Sequence, residues 1–317
     1  MDEMTEVRAL RAHAPVPDRA RLAAGRALLT DAVRARERRR AGWWRREFVI
    51  VAVVAAVTAV AVTAALLAGG GGTGRRVRPA TPDIDLKGMS AADFLERAAD
   101  ALDKEPAGTE PTAKQWIYTR MAGKGAANGE QQNETWSRYD GELLAYTPPD
   151  GGPGLTVTPA HPEGQRPKNF ESPRDVYRFL AALPDDGAGT LKALRTWNAV
   201  RDTEGAPQAW DDYAEINNVL VKYLLTPPHG LASLYRALAL LPGVKITDHL
   251  IDTPTGRKAV ALKYDLDGES KVKMADQFLI DPRTYHLMGA RAIMNGKVVS
   301  AGDWLTTAVV DKAGERP

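Results

Sequence analysis

The sequence predicts an α+β fold: a single transmembrane helix, then an extracytoplasmic domain with a bent antiparallel sheet and an inserted helical block. Three observations predict it. Residues 48–68 carry no charge, residues 115–147 and 244–310 have strand-like patterns, and residues 172–241 repeat apolar side chains at helical spacing. Strand blocks on either side of a helical block favour an antiparallel sheet over alternating βαβ units.

The apolar run from Phe48 to Ala68 is the strongest single signal. It has 21 residues and contains no charge, proline or glycine. As a helix that rises about 1.5 Å per residue, it would span about 31 Å, close to the thickness of the hydrocarbon layer. A lipid bilayer is therefore a predicted partner, and the cell membrane is the predicted location.

The charges that flank this run predict its orientation. Seven arginines lie between residues 34 and 46, against three between residues 75 and 78. Positively charged residues stay in the cytoplasm, so the amino terminus is predicted to lie inside. Trp43 and Trp44 stand just before the span, at the headgroup level that indole prefers. The arginines nearest the span are Arg38, Arg39, Arg40, Arg45 and Arg46.

Two kinds of cleaved leader are alternatives to this anchor. A Sec signal peptide has a shorter apolar core, of about 7–15 residues. The stretch Arg45-Arg46-Glu47-Phe48-Val49 resembles the core of a twin-arginine signal. The long leader and the length of the apolar run favour an anchor that is retained.

The chain then divides into four predicted segments. These are a basic cytoplasmic head (1–47), the transmembrane helix (48–68), a Gly/Pro linker (69–88) and the extracytoplasmic domain (89–317). The head carries a net charge of +5 and the rest −3, which gives +2 overall. A basic head on a faintly acidic body does not favour nucleic acid as a partner. The linker opens with G-x-G-x-x-G spacing, but no strand precedes it, so it does not predict a dinucleotide site.

Helices are predicted at the start and in the middle of the outer domain. Ser90 and Asp93 spell the capping box S-x-x-D, and an apolar face follows to about Leu102. Ser172, Pro173 and Asp175 are typical of a second helix start. The middle block is predicted to contain helices over 172–183, 190–200, 208–225 and 231–241.

Strands are predicted on both sides of that block. Asp140-Gly141, Asp267-Gly268 and Asn295-Gly296 have the composition of hairpin turns. The predicted strands are 115–121, 135–139, 142–147, 155–158, 244–251, 258–266, 272–280, 285–294, 297–301 and 304–310.

The sequence provides no set of residues that predicts catalysis. With no cysteine, thiolate zinc sites, iron–sulfur clusters and cysteine nucleophiles are excluded. Five histidines are scattered without H-x-x-x-H spacing, and G-x-S-x-G is absent. We therefore predict no catalytic residue, no metal and no cofactor, and a protein that is not an enzyme.

Aromatic residues in the predicted strands are the candidate ligand-binding set. Trp116 and Tyr118 share one strand face because side chains alternate along a strand. Together with Trp136 and Trp304 they could line a concave apolar surface with exposed rings. The alternative, which the sequence favours slightly, is that they fill the core between sheet and helices.

Four segments carry a resemblance to a known family. They are Gln115-Trp-Ile-Tyr-Thr-Arg, Ser233-Leu-Tyr-Arg-Ala-Leu-Ala-Leu-Leu-Pro-Gly-Val, Gly256-Arg-Lys-Ala-Val and Leu279-Ile-Asp-Pro-Arg-Thr. With the head–span–outer-domain layout, they resemble an uncharacterised family of single-pass membrane proteins from high-GC Gram-positive bacteria. The resemblance brings no assigned activity.

A weaker resemblance concerns the outer domain. The layout is similar to that of anti-sigma factors, and a helix at Ser90 followed by long antiparallel strands is similar to the half-barrel of lipoprotein carriers and envelope-stress sensors. The chain departs from these families in three ways: it lacks the H-x-x-x-C-x-x-C zinc motif, its head of 47 residues is short for wrapping a sigma factor, and residues 172–241 would be a large insertion in a half-barrel.

Three functions follow as hypotheses. The first is a non-catalytic, membrane-anchored binding or sensing protein, whose partner is another membrane or envelope protein or a lipid. The second is a tethered carrier of lipid or another apolar ligand, which would need an open apolar cavity. The third is an envelope enzyme that uses two carboxylates about 5–10 Å apart.

Overall fold

One large antiparallel sheet with helices on one side makes up the part of the chain that the computed structural model describes. That part comprises residues 84–125, 129–148, 154–161, 171–198, 206–222, 224–264 and 274–317. The predicted head, transmembrane helix and topology arginines lie outside these ranges. Within them, no helix combines the length and apolarity needed to cross a membrane.

The sheet has ten strands, and every pair is antiparallel. Its order is β4-β3-β2-β1-β10-β9-β8-β7-β5, with β6 paired to β7. The strands are β1 (Trp116–Gly125), β2 (Gly129–Arg138), β3 (Leu143–Tyr146), β4 (Thr156–Pro159), β5 (Val244–Ile246), β6 (Ile251–Asp252), β7 (Lys258–Tyr264), β8 (Met274–Ile280), β9 (Leu287–Met294) and β10 (Lys297–Val310).

Five helices are described. The first precedes the sheet and the other four lie between β4 and β5, as the strand–helix–strand pattern predicts. They are α1 (Ala91–Leu102), α2 (Pro173–Ala181), α3 (Gly187–Asn198), α4 (Gln208–Lys222) and α5 (Pro228–Ala239). The mixed α and β composition and the inserted helical block are confirmed.

Side-chain caps define the starts of α1 and α2. At α2, the Ser172 hydroxyl accepts from the Asp175 N–H at 3.2 Å, and the Asp175 carboxylate accepts from the Ser172 N–H at 3.1 Å. At α1, Ser90 accepts from the Asp93 N–H at 3.0 Å, but the carboxylate binds the Ser90 hydroxyl instead of its N–H. The reciprocal capping box is therefore complete only at α2.

Several predicted boundaries were wrong, for example the starts of β2 and α5 and the single strand 244–251, which is β5 and β6. For two further boundaries the reason is identifiable. Helix α3 begins at Gly187, three residues before the predicted Thr190, because Asp186 accepts from the Gly189 N–H at 2.7 Å. Thr190 is internal, and its hydroxyl donates back to the Asp186 carbonyl at 2.9 Å. The predicted strands 297–301 and 304–310 are one strand, β10, with an irregularity instead of a break.

The main core fills the space between the helices and one face of the sheet. All five helices contribute buried side chains to it, and so do Ile117, Val260 and Phe278 from the strands. We call this the inner face and the opposite side the outer face. The fully buried residues of the inner core include Phe94, Leu95, Leu102, Leu180, Leu194, Ile216, Leu234, Tyr235, Leu238 and Phe278.

Helix α5 packs closely against α2 at Gly230, which leads to a first prediction. A Cβ at Gly230 would lie 2.7 Å from the Leu180 carbonyl oxygen and 2.8 Å from the Leu180 Cβ. Alanine normally favours a helix over glycine by about 1 kcal/mol. Here we expect Gly230→Ala to lower the free energy of unfolding instead, by about 1–3 kcal/mol, because the two helices are forced apart.

Chemical denaturation measures this change. The control is Gly108→Ala, where a Cβ would meet nothing within 4 Å, and we expect a change below about 0.5 kcal/mol. Stabilisation by Gly230→Ala would contradict the close helix packing.

Candidate functional site

Three of the four candidate aromatic residues come together on the outer face. Tyr118 on β1 lies directly across from Trp136 on β2, and their ring centroids are 5.1 Å apart. Trp116, Ala145 and Val310 complete a small buried group with them. We call these five residues the outer-face cluster.

Trp304 lies on the inner face instead, in the main core. The pairing of β1 with β10 explains this. Arg120 is opposite Thr306, but Met121 is opposite Trp304, so Leu305 is an extra residue that has no partner in this register. A bulge of one residue turns the following side chain to the other face, because the side-chain period of a strand is two.

All four aromatic side chains are buried. Their exposed fractions are 8% for Trp116, 2% for Tyr118, 0% for Trp136 and 5% for Trp304. A binding wall with exposed rings would need larger values, so these rings are packing residues in this arrangement. Contact of the four with a ligand stays a prediction.

The last residues of the sequence shield the outer-face cluster. Residues 311–317, which we call the 311–317 segment, turn back over it, and Ala313 packs against the cluster. The Trp136 indole N–H donates to the Glu315 carbonyl at 2.6 Å. The Glu315 carboxylate closes the turn by accepting from the Asp311 and Lys312 N–H groups, each at 3.1 Å. Gln115 Nε2 donates to Asp311 at 2.9 Å.

A carboxylate beside the cluster holds the same segment. Arg316 binds Glu134 through two hydrogen bonds, Nε to Oε1 at 2.8 Å and Nη2 to Oε2 at 2.6 Å. The Tyr118 hydroxyl also donates to Glu134 Oε1, at 2.6 Å. Such two-point pairing between a guanidinium and a carboxylate is directional as well as attractive.

This arrangement shifts two pKa values. Hydrogen bonds from Arg316, and secondarily from Tyr118, hold the pKa of Glu134 below its ordinary value in spite of partial burial. Burial, together with the hydrogen bond to the Glu134 carboxylate, raises the pKa of Tyr118 to about 12. Glu134 is thus a charged acceptor and Tyr118 a neutral donor at neutral pH.

A pH-dependent contribution to stability follows from Glu134. A carboxylate whose pKa is lowered by folding stabilises the folded state above its unfolded pKa, and this contribution is lost as the pH falls through the folded pKa. We therefore expect the wild-type chain to be more stable than Glu134→Gln at neutral pH, with a gap that narrows below about pH 4.5. Urea unfolding of both chains from about pH 7 to about pH 3 measures the gap. A gap that is constant over this range would contradict the assignment.

A second polar centre lies elsewhere on the outer face. Asp303 is fully buried, and its Oδ2 accepts from the Thr253 hydroxyl at 2.6 Å and from the Thr255 N–H at 2.9 Å. The Thr255 hydroxyl also donates to it. Arg257 Nη2 is 3.7 Å away and donates to the Met288 and Trp304 carbonyls. Asp303 therefore anchors the loop between β6 and β7 to the central strand β10.

Sequence reasoning missed Glu134, Arg316 and Asp303. Glu134 precedes Trp136 by two positions, so the alternation of side chains along a strand could have placed both on one face. Nothing in the sequence pattern indicated that Arg316 lies beside β2. The gap between the predicted strands 244–251 and 258–266 contains the loop between β6 and β7, yet the anchor of this loop, Asp303, is distant in sequence. Among the described residues, no group of three or more His, Asp or Glu is placed to hold a metal ion.

Comparison with known proteins found little likeness. No protein-family model and no curated protein matches the chain. Among solved structures, the chain is similar to the MucA/MucB complex of Pseudomonas aeruginosa, with 12% identity over 72% of this chain and 58% of that one, at a TM-score of 0.29. It is also similar to MucB in complex with MucA(peri), with 11% identity over 69% and 56% at a TM-score of 0.27.

The chain thus spans under three fifths of the length of the chains it matches. At these TM-scores and identities, the likeness establishes neither the fold nor the function.

Proposed function

We propose that the chain is a single-pass membrane protein whose residues 89–317 form an extracytoplasmic, non-catalytic domain that binds or senses another envelope protein. The observation that carries the binding role is the one-sided construction of the sheet. All five described helices pack on the inner face, so the outer face is left for a partner.

The chemistry of the outer face supports protein binding. Beside the buried outer-face cluster it has a charged acceptor, Glu134, and side chains that are accessible to a partner, such as Arg120 and Gln132. Arginine side chains are enriched where proteins bind one another.

The packing of the inner face favours protein binding over the role of a lipid carrier. A tethered carrier would present an apolar wall to its ligand. In the described residues, side chains of the five helices fill that position, and Phe94, Ile216 and Tyr235 are fully buried there.

The anchor and the orientation rest on the sequence. The 21-residue apolar run and the arginine excess before it support a retained helix with the amino terminus in the cytoplasm. Protease added to intact spheroplasts should digest the outer domain and spare the head. A protected outer domain, or a mature form that begins near residues 69–76 in the medium, would contradict the proposed topology.

Site-specific photo-crosslinking in intact cells tests the binding role. A photoreactive amino acid at Gln132, exposed on the outer face, should yield a discrete crosslinked product. The matched control is Lys192, which is exposed on α3 on the helical side. Equal labelling from both positions, or a product from Lys192 alone, would contradict binding at the outer face.

A further inference from the structure

The 311–317 segment contacts the outer face in the way that a bound peptide would. Trp136 of the sheet donates a hydrogen bond to the main-chain carbonyl of residue 315, and Glu134 binds the arginine at residue 316. The Glu315 side chain is used inside the segment's own turn. Apart from the Gln115–Asp311 hydrogen bond next to β1, the described polar contacts of the sheet with the segment are made to a carbonyl and to the arginine that follows it.

The two residues before the carbonyl are small in this segment. Ala313 packs on the outer-face cluster. Gly314 has a φ of +85°, and a Cβ there would lie 3.1 Å from Leu155 Cδ2. A side chain at this position would be strained by its backbone conformation and crowded by Leu155. The bound sequence thus reads small–Gly–x–Arg.

We propose that the outer-face cluster and Glu134 form a peptide-binding site for a small–Gly–x–Arg segment of another protein, and that residues 313–316 occupy this site in cis. This inference rests on the proposed function and specifies the chemistry of its partner.

The contacts of the segment are of a kind that can be exchanged. The Arg316 side chain is 59% exposed, and exposed ion pairs stabilise weakly. Arg120 lies directly across from Glu134 and lowers the pKa of that carboxylate as well. When Arg316 leaves, Glu134 therefore keeps a neighbouring positive charge, which limits the cost of release.

A second copy of the chain is not the partner that these contacts favour. The segment of a second copy would make the same contacts as the segment of the chain itself. The chain's own segment is present at an effective concentration of about a millimolar, so it would outcompete the second copy. A segment of a different protein can gain further contacts along β2, where Gln132 is exposed on the same face.

Binding of a labelled peptide tests the proposal. The probe is a fluorescent peptide with the sequence of residues 311–317, and the receptor is the chain shortened to end at Val310. We expect the shortened chain to bind the peptide, and the intact chain to bind it about tenfold more weakly or worse, because the cis segment competes. Fluorescence anisotropy gives both values of Kd.

Two matched changes test the chemistry of recognition. Arg316→Ala in the peptide and, separately, Glu134→Gln in the shortened chain should each weaken binding several-fold, because each removes the two-point charged pair. Equal binding by the shortened and intact chains would overturn the proposal, as would a folded shortened chain that does not bind.

If the shortened chain does not fold, the intact chain with Arg316→Ala takes its place. It should bind the peptide several-fold more tightly than wild type, and an unchanged Kd would overturn the proposal. The outcomes separate this inference from the proposed function. If a partner crosslinks at Gln132 but the peptide does not reduce this crosslink, the peptide-binding site is contradicted and the proposed function is not. If the peptide binds but no crosslink forms at the outer face in cells, the proposed function is contradicted and the peptide-binding site is not.

Discussion

Replacing Trp136 with alanine is expected to lower the free energy of unfolding by about 3–5 kcal/mol. The side chain is fully buried, contacts Tyr118 and binds the Glu315 carbonyl. Alanine would leave a cavity within the outer-face cluster and an acceptor without its donor. Urea unfolding followed by far-ultraviolet circular dichroism measures the change.

The more conservative Trp136→Phe separates the two contributions. It keeps an aromatic ring but removes the indole N–H, so the loss should be smaller, about 1–3 kcal/mol. Val157→Ala provides a surface control because Val157 is 50% exposed on β4, and it should change stability by less than about 0.5 kcal/mol. If Trp136→Ala costs no more than Val157→Ala, the outer-face cluster is not a packed unit.

The second large effect is expected at Asp303. Replacing it with alanine removes the acceptor that the Thr253 hydroxyl and the Thr255 N–H and hydroxyl share. A buried donor that is left without an acceptor costs about 1–3 kcal/mol. We expect the free energy of unfolding to fall by roughly 3 kcal/mol or more, with the loop between β6 and β7 released from β10.

A neighbouring carboxylate gives a close control. Asp252 pairs with Lys258 at 2.9 Å, but both side chains are exposed, at 60% and 36%. Asp252→Ala should cost no more than about 1 kcal/mol, as exposed ion pairs do. Hydrogen exchange of the Thr255 amide should accelerate in Asp303→Ala and not in Asp252→Ala. Equal effects of the two substitutions on stability and exchange would show that Asp303 does not anchor the loop.

Local sequence signals predicted local structure well. Ser172-Pro173 and Asp175 fixed the start of α2, because a cap needs only residues three positions apart. Asn295-Gly296 predicted the turn between β9 and β10, where both residues have a positive φ, of 50° and 77°. The order of strand and helix blocks predicted the mixed fold with its inserted helices.

The candidate site could not be derived in the same way. Period two predicts which residues of one strand share a face, and it correctly joined Trp116 to Tyr118. It failed for Trp304, because the unpartnered Leu305 reverses the alternation and no composition rule marks such a bulge. The shielding of Trp136 depends on Glu315, which is remote in sequence and adjacent only after the sheet has formed.

The position of β1 beside β10 also sets the order in which the domain can be built. The sheet is joined at its centre by strands from opposite ends of the domain, with Trp116 paired to Val310. Such distant pairings close late and slow the folding of a domain. Strand β10 must leave the ribosome before β1 and β10 can pair. The sheet of the nascent domain therefore stays open between β1 and β10 until its last strand has been synthesised.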